Sequence, residues 1–361
     1  MRVVMFYHSL VSDWNHGNAH FLRGVATEML SRGHEVAIFE PRDGWSKNNL
    51  LQSEGEQAVA EFRQYYPGLE SAFYDLATLD LDEALSAADL VLVHEWNDPA
   101  LVARIGAHHR THKNYKLLFH DTHHRAVSSP EEIEQYDLSG YDGLLAFGES
   151  LRRQYAQVRP KLKAWTWHEA ADVRVFHPVE SKNHSGDLVW VGNWGDDERS
   201  DEIREFLLKP AKALRLDSLV YGVRYPQDAL TALAAHGVRY GGWLPNYRVP
   251  AVFAEYRVTV HIPRRPYTRI LPGIPTIRVF EALACGIPLV SAPWEDSEGL
   301  FMPGVDYLVA SSATEMQVHL AALLGNESYR TAQISQGLRT IYRRHTCGHR
   351  VDELMEIVRS S

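Results

Sequence analysis

The 361-residue chain has only two cysteines, Cys285 and Cys347, far apart and in no metal-like spacing. That scarcity excludes a disulfide framework and a cysteine-held zinc site, and sets the expectation of a reducing, cytoplasmic compartment. No apolar run is long enough to span a bilayer, so no integral membrane association is expected. Met1 leads straight into the strand-like MRVVMFYH, without signal-peptide architecture. Positive charge is in deficit: 37 Lys and Arg against 46 Asp and Glu leave a net charge of -9, which disfavours nucleic acid bound over a broad surface. There is no GxGxxG, no low-complexity segment, no short-period repeat, and no Asp-x-Asp in a loop suited to metal binding.

What is there begins with size. A chain of 361 residues exceeds the usual single core, so two domains are expected. The first half alternates strands and helices: 2–7, a helix from about Ala19 to Arg32, EVAIFE, LVLVH (90–94), KLLFH (116–120) and GLLAF (143–147). Buried apolar strands separated by helical patterns indicate a doubly wound parallel sheet. After an irregular exit over 165–178, the polar stretch VESKNHSGD reads as a linker. The alternation then restarts with DLVWVGNW, a helix over about 200–214, SLVYG, a helix near 227–235, RVTVHI and PLVSA. From about Thr314 the chain is helical in two or three pieces. The expected architecture is α/β, with two Rossmann-like domains facing a cleft: 1–178, 179–345, and a C-terminal helix, 346–361, crossing back to the first domain.

The richest segment is PGIPTIRVFEALACGIPLVSAPWE, residues 272–295. A Gly/Pro loop enters a short helix from about Thr276 to Cys285; Gly286 and Pro288 signal its stop. The free N-terminus of such a helix suits a phosphate, and Glu281 sits on it among apolar neighbours with Arg278 one turn earlier. From Tyr256 to Phe280 stand five arginines (257, 264, 265, 269 and 278) and His261, with no acid. Guanidinium forks match phosphate oxygens, so Arg265 and Arg278 lead as diphosphate contacts; the alternative is that the run solvates a loop or pairs with acids elsewhere. Near the N-terminus, Gly17-Asn18 open a helix, where small residues allow backbone N–H groups close to an anion, or simply make a βα turn. LLFHDTHHRAV (117–127) puts His120 and Asp121 just after a strand. Positions 108, 109, 112, 120, 123 and 124 are all His, but their spacing fits no common zinc pattern, so no metal site is assigned.

These motifs resemble the group 1 retaining glycosyltransferases of the two-Rossmann-domain (GT-B) fold. The resemblance covers most of the chain and implies a nucleotide-diphosphate sugar as donor, with no cofactor. The E-A-x-A-x-G-x-P run matches the family's donor-nucleotide motif, and implies that Glu281 accepts the ribose hydroxyls. His120-Asp121 match the family's His-Asp pair near the reacting sugar, and Gly17-Asn18 its first glycine loop. WHEAADVRVFHP (167–178) resembles the interdomain N-G-V-D-x-x-x-F-x-P signature at Asp172, Phe176 and Pro178. After the first strand of the second half the family has Gly-Arg and then Lys. Here Gly192-Asn193 are followed by Arg199, which either substitutes as a diphosphate clamp or pairs with Asp196, Asp197 and Glu198. The family's second Glu, eight residues before Glu281, is replaced by Gly273, so backbone N–H groups around Ile274, Thr276 and Ile277 would have to meet the donor sugar. That departure is similar to the divergent branch of CgeB-like proteins.

The expected function is therefore a hexosyltransferase-like glycosyltransferase acting on an unknown acceptor, retaining and metal-independent. His20 or Asp13 would serve as base if the reaction inverts. A sugar-nucleotide epimerase of the same fold and a non-catalytic nucleotide-sugar-binding protein are the alternatives.

Overall fold

A computed structural model describes residues 1–181, 184–195 and 197–360. Asp196 and part of the linker expected after Pro178 thus lie outside the described residues. The chain divides into two compact units, one formed by Met1–Glu169 with the segment from Cys347 onward, the other by Ala170–Thr346. The second unit starts before the boundary expected at 179, because residues 170–178 are tied to it. Ala171 N–H donates to His345 O at 3.0 Å, and Pro178 lies against Gly286.

The first unit is built on seven parallel strands: β1 (Arg2–Phe6), β2 (Glu35–Pro41), β3 (Ser71–Tyr74), β4 (Leu90–His94), β5 (Lys116–Asp121), β6 (Gly143–Ala146) and β7 (Lys163–Thr166), in the order β3-β2-β1-β4-β5-β6-β7. All five residues of β4 are buried, as an inner strand covered on both faces requires. The order reverses beside β1, so the loops leaving β1 and β4 diverge at a switch point. The helix Cys347–Ser360 packs on the helix Ala19–Ser31. Trp167 Nε1 donates to Arg350 O at 2.8 Å, and Arg350 Nε donates to His168 O at 3.0 Å.

The second unit carries six parallel strands: β8 (Gly186–Val191), β9 (Ser218–Tyr221), β10 (Val238–Tyr240), β11 (Tyr256–His261), β12 (Leu289–Ser291) and β13 (Leu308–Val309), in the order β10-β9-β8-β11-β12-β13. Its core joins Leu188 and Trp190 of β8 and Val258 and Val260 of β11 to Ile203, Phe206 and Leu207, and to Met316 and Leu320. The helix expected over 200–214 contains a π-helical stretch, Arg204–Leu208, between two short α-helical pieces. The helix Ile277–Cys285 ends as the sequence implies. Gly286 takes a left-handed φ of 69° and Ile287 N–H reaches back to Ala282 O at 3.2 Å. Here too the strand order reverses, between β8 and β11, and the loops after those strands form the site below.

Candidate functional site

The helix Ile277–Cys285 begins at Thr276, whose backbone is extended (φ -79°, ψ 160°) and whose side chain does not cap the helix. The hydroxyl is engaged elsewhere. Ser291 Oγ donates to Ala292 O at 2.7 Å, so toward His261 Nδ1, 2.9 Å away, it acts as acceptor. That puts the imidazole proton on Nδ1 and leaves Nε2 to accept from Thr276 Oγ1 at 3.1 Å. Burial, and then the charge of Arg199, push the His261 pKa down to about 3, so the ring stays neutral. A three-residue relay thus draws the threonine off its own helix. Of the first-turn N–H groups, that of Val279 donates to Thr276 O at 3.1 Å, and among the described residues those of Ile277 and Arg278 stay open to an anion.

Arg199 sits between the loops that follow β8 and β11. Its Nε and Nη2 donate to Asn193 O at 3.1 and 2.7 Å, and its Nη1 donates to Ile262 O at 3.0 Å. Its guanidinium carbon lies 5.1 Å from the Trp190 ring centre. Among the described residues it makes no ion pair. Burial first, then the nearby Arg264 and Arg278, push its pKa below the usual arginine range. Because a guanidinium keeps its proton in proteins, that shift marks an under-compensated cation rather than a neutral one. Of the two readings the sequence left open for Arg199, pairing with Asp197 or Glu198 is not observed.

The other arginines sort differently. Arg278 is paired with Glu281 one turn along the helix. Arg264 meets Glu198 at 2.5 Å. Arg265, a leading diphosphate contact by sequence, is held by acids instead. Its Nε and Nη2 donate to Glu202 at 2.8 and 2.9 Å, Nη2 also to Asp201 at 3.1 Å, and Nη1 to Asp197 O at 2.6 Å. A phosphate contact from Arg265 would have to displace these carboxylates. A run without acids inside it found its counter-charges on a distant helix start.

Glu281 is fully buried, and Arg278 orients its carboxylate. The preceding loop is strapped down by Gly273 N–H to Glu295 O (2.9 Å) and Trp294 Nε1 to Ile274 O (3.0 Å). Gly273 has φ 88°, and a Cβ there would lie 2.4 Å from Ser297 Oγ and 3.1 Å from Glu298 Cγ. A side chain at position 273 would strain this backbone and would have to displace the Ser297 and Glu298 side chains.

In the first unit, Asn18 Nδ2 donates to Glu169 Oε1 at 2.7 Å, and no side chain caps the helix that Gly17-Asn18 open. Asp13 is bound in a buried ion pair with Arg23 at 2.8 Å, which takes up the carboxylate considered as a base. His120 is fully buried, and among the described residues neither ring nitrogen has a hydrogen-bond partner. Its ring centre lies 4.8 Å from that of Trp167 and 5.5 Å from that of His94. Burial pushes its pKa down to about 3, so it is a neutral imidazole. Asp121 is different: Tyr155 Oη donates to it at 2.5 Å and the His123 N–H at 3.0 Å. Its carboxylate therefore holds the loop and a core tyrosine.

The sequence reading missed His94 and Glu95, although HEWND at the end of β4 repeats the pattern of HDTHH at the end of β5. The two strands pair in register, His94 opposite His120. Glu95 accepts from Arg125 at 2.5 Å and from the Thr122 hydroxyl at 3.3 Å. Burial and the nearby Asp121 push its pKa up against the pull of Arg125.

Two doubly wound parallel units of this kind define the GT-B class of fold. Residues 199–356 match the family described as glycosyl transferase-like, a segment that includes Arg199, Thr276, Arg278 and Glu281. Solved structures similar over the whole chain carry the same fold. A glycosyltransferase from Rickettsia africae ESF-5 is 11% identical, with 99% of this chain and 98% of that chain covered and a TM-score of 0.65. Anabaena HepE in complex with UDP is 15% identical, with 100% of each chain covered and a TM-score of 0.67. An alpha-glucosyltransferase in complex with UDP and DNA is 12% identical, with 99% of each chain covered and a TM-score of 0.70. Among curated proteins, none matches the chain in sequence. No helix of the described residues is long and apolar enough to cross a membrane.

Proposed function

We propose that the chain is a glycosyltransferase that moves a hexose-like sugar from a nucleotide-diphosphate donor to an acceptor, with retention and without a metal ion. The observation that carries this reading is the under-compensated Arg199 guanidinium beside a helix N-terminus whose capping threonine is drawn away by His261. Both features raise positive potential at one place within the second unit, and both are relieved by a bound diphosphate. The departing diphosphate gains charge in the transition state, so fixed donors aimed at it lower the barrier more than they tighten the ground state. Glu281, oriented by Arg278, serves as acceptor for the ribose hydroxyls. Backbone N–H groups of the Gly273–Ile277 loop meet the donor sugar in place of the glutamate that Gly273 replaces. Neutral His120 offers either a donor or an acceptor nitrogen to a sugar hydroxyl, and Asp121 holds its loop. The GT-B neighbours that bind UDP support the donor class.

The test is a thermal-shift screen against UDP, GDP, ADP and dTDP sugars, followed by detection of free nucleotide with and without EDTA. A ligand that binds only the folded state raises its midpoint. Stabilisation by one nucleotide series, with donor turnover that survives EDTA, is expected. Binding without any release of nucleotide would favour the non-catalytic reading, and no binding to any nucleotide would end both.

A further inference from the structure

We propose that Asp82, His108 and His112 form a surface site for one divalent transition-metal ion of the zinc class, within the first unit and separate from the nucleotide site. One ligand atom from each residue lies within 4.8 Å of the others. The site joins two elements: Asp82 belongs to the short helix Leu81–Ala84, while His108 lies on the helix Pro99–Thr111, with His112 just past its end. His108 and His112 stand four residues apart, so their rings share one helix face, stacked with centres 4.3 Å apart.

The hydrogen bonds around the rings fix which nitrogens point into the cluster. His112 Nδ1 lies 3.2 Å from the carbonyl oxygen of His108, which can only accept, and 2.9 Å from Thr111 Oγ1. The Thr111 hydroxyl donates to that same carbonyl at 2.9 Å, so it too accepts from the ring. Nδ1 of His112 therefore carries the proton, and a neutral His112 presents a lone pair at Nε2. His108 is held from behind by Tyr115, whose Oη is 2.9 Å from Nδ1, while its Nε2 faces Asp82 Oδ1 at 3.1 Å. Two ligands at ~2.0–2.1 Å from a tetrahedral zinc ion stand roughly 3.3 Å apart, so the His108–Asp82 spacing already fits. Two imidazole nitrogens and a carboxylate oxygen lie together here; on metal binding the proton that His108 Nε2 donates to Asp82 would move to Nδ1, where Tyr115 Oη accepts it, and leave Nε2 to the cation. Histidine nitrogen with carboxylate oxygen is the donor set of zinc, nickel and copper rather than of magnesium or calcium. The hydroxyl of Tyr115 is the outer partner that metal-bound histidines ordinarily have.

The helical spacing was visible in HHRTH, but the third ligand lies 26 residues before His108, and no known zinc spacing joins them. The test is calorimetric titration of the full chain with Zn2+ alone, repeated with Co2+ followed by absorbance. One ion per chain is expected. His112→Ala and Asp82→Asn, both at exposed positions, should each weaken binding by at least about tenfold. Tyr115→Phe should weaken it by roughly 10- to 100-fold, the usual effect of losing an outer partner. Absence of stoichiometric Zn2+ binding in the parent overturns the proposal. So does binding of equal strength in His112→Ala and Asp82→Asn, which would place the ion on other histidines. Nucleotide affinity is expected to be the same in these variants and the parent, so the outcome is independent of the proposed transferase activity.

Discussion

Replacing Arg199 by alanine is the sharpest perturbation of the nucleotide site. An arginine has five N–H donors, and three are committed here to Asn193 O and Ile262 O. Among the described residues the remaining two, one on each terminal nitrogen, meet no acceptor and form a fork for a phosphate. One charge-assisted hydrogen bond is worth ~1.5–3 kcal/mol, so losing even one weakens diphosphate binding about 10- to 150-fold. The nucleoside alone, which has no phosphate, should bind the variant as it binds the parent. The assay is calorimetry with UDP and with uridine, or the corresponding pair for whichever base the screen selects. The variant also loses an under-compensated charge, so its melting point should fall less than three lost hydrogen bonds would suggest. Arg199→Lys separates charge from geometry: a point charge recovers part of the affinity without the fork. If the ratio of diphosphate to nucleoside affinity is the same in Arg199→Ala and the parent, Arg199 is not the diphosphate clamp.

Four further outcomes are expected. Arg265→Ala should leave diphosphate affinity unchanged and cost ~0–1 kcal/mol of stability, as for other partly exposed ion pairs; a tenfold loss of affinity would place it on the diphosphate. Glu281→Gln should weaken nucleotide binding by about 1.5 kcal/mol or more while barely affecting the 2′,3′-dideoxy analogue, and equal losses for both would take the ribose role away from Glu281. His120→Ala should spare nucleotide affinity and lower kcat and kcat/KM together, since its contact is assigned to the transition state; lost nucleotide binding in a folded variant would contradict that assignment. Burial raises the Asp121 pKa to about 6 in the folded protein. A raised carboxyl pKa contributes stability at acid pH that is lost as pH rises through the folded value, here from roughly 4 to 6. Asp121→Asn mimics the neutral form and should flatten the melting profile over that range, whereas parallel profiles would show that the carboxyl is not perturbed.

The strands that could be read from the sequence and those that could not divide along a physical line. β1, β4 and β5 lie inside the first sheet and β8 and β11 inside the second, and all announce themselves as apolar runs. The four strands missed, β3, β7, β10 and β13, are the four sheet edges. An edge strand pairs on one side only and is partly wet, so SAFY and KAWT carry no continuous apolar signal. Short-range chemistry was likewise legible: the helix stop at Gly286, and Glu281 with Arg278 beside it. Pairings across long sequence separation were not. Arg265 met Glu202 from 63 positions away, and Asp13 was taken by an arginine that the reading of the helix Ala19–Ser31 had passed over. The diversion of Thr276 was equally hidden, because the relay through His261 and Ser291 needs the register of β11 and β12.

The return of the helix Cys347–Ser360 to the first unit bears on the order in which the chain acquires its structure during synthesis. Every residue of the second unit has been made before this helix emerges. Until it does, the Trp167 indole N–H lacks the Arg350 carbonyl, and Arg32 lacks Asp352. The unit translated first is thus the one finished last, while the unit translated in the middle holds all of its own contacts beforehand. A chain released after residue 346 would have its second unit complete while its first still shows the apolar face that Val351, Leu354 and Ile357 cover. Chaperone demand should accordingly fall on the amino-terminal half, although it is the half with the longest time to fold.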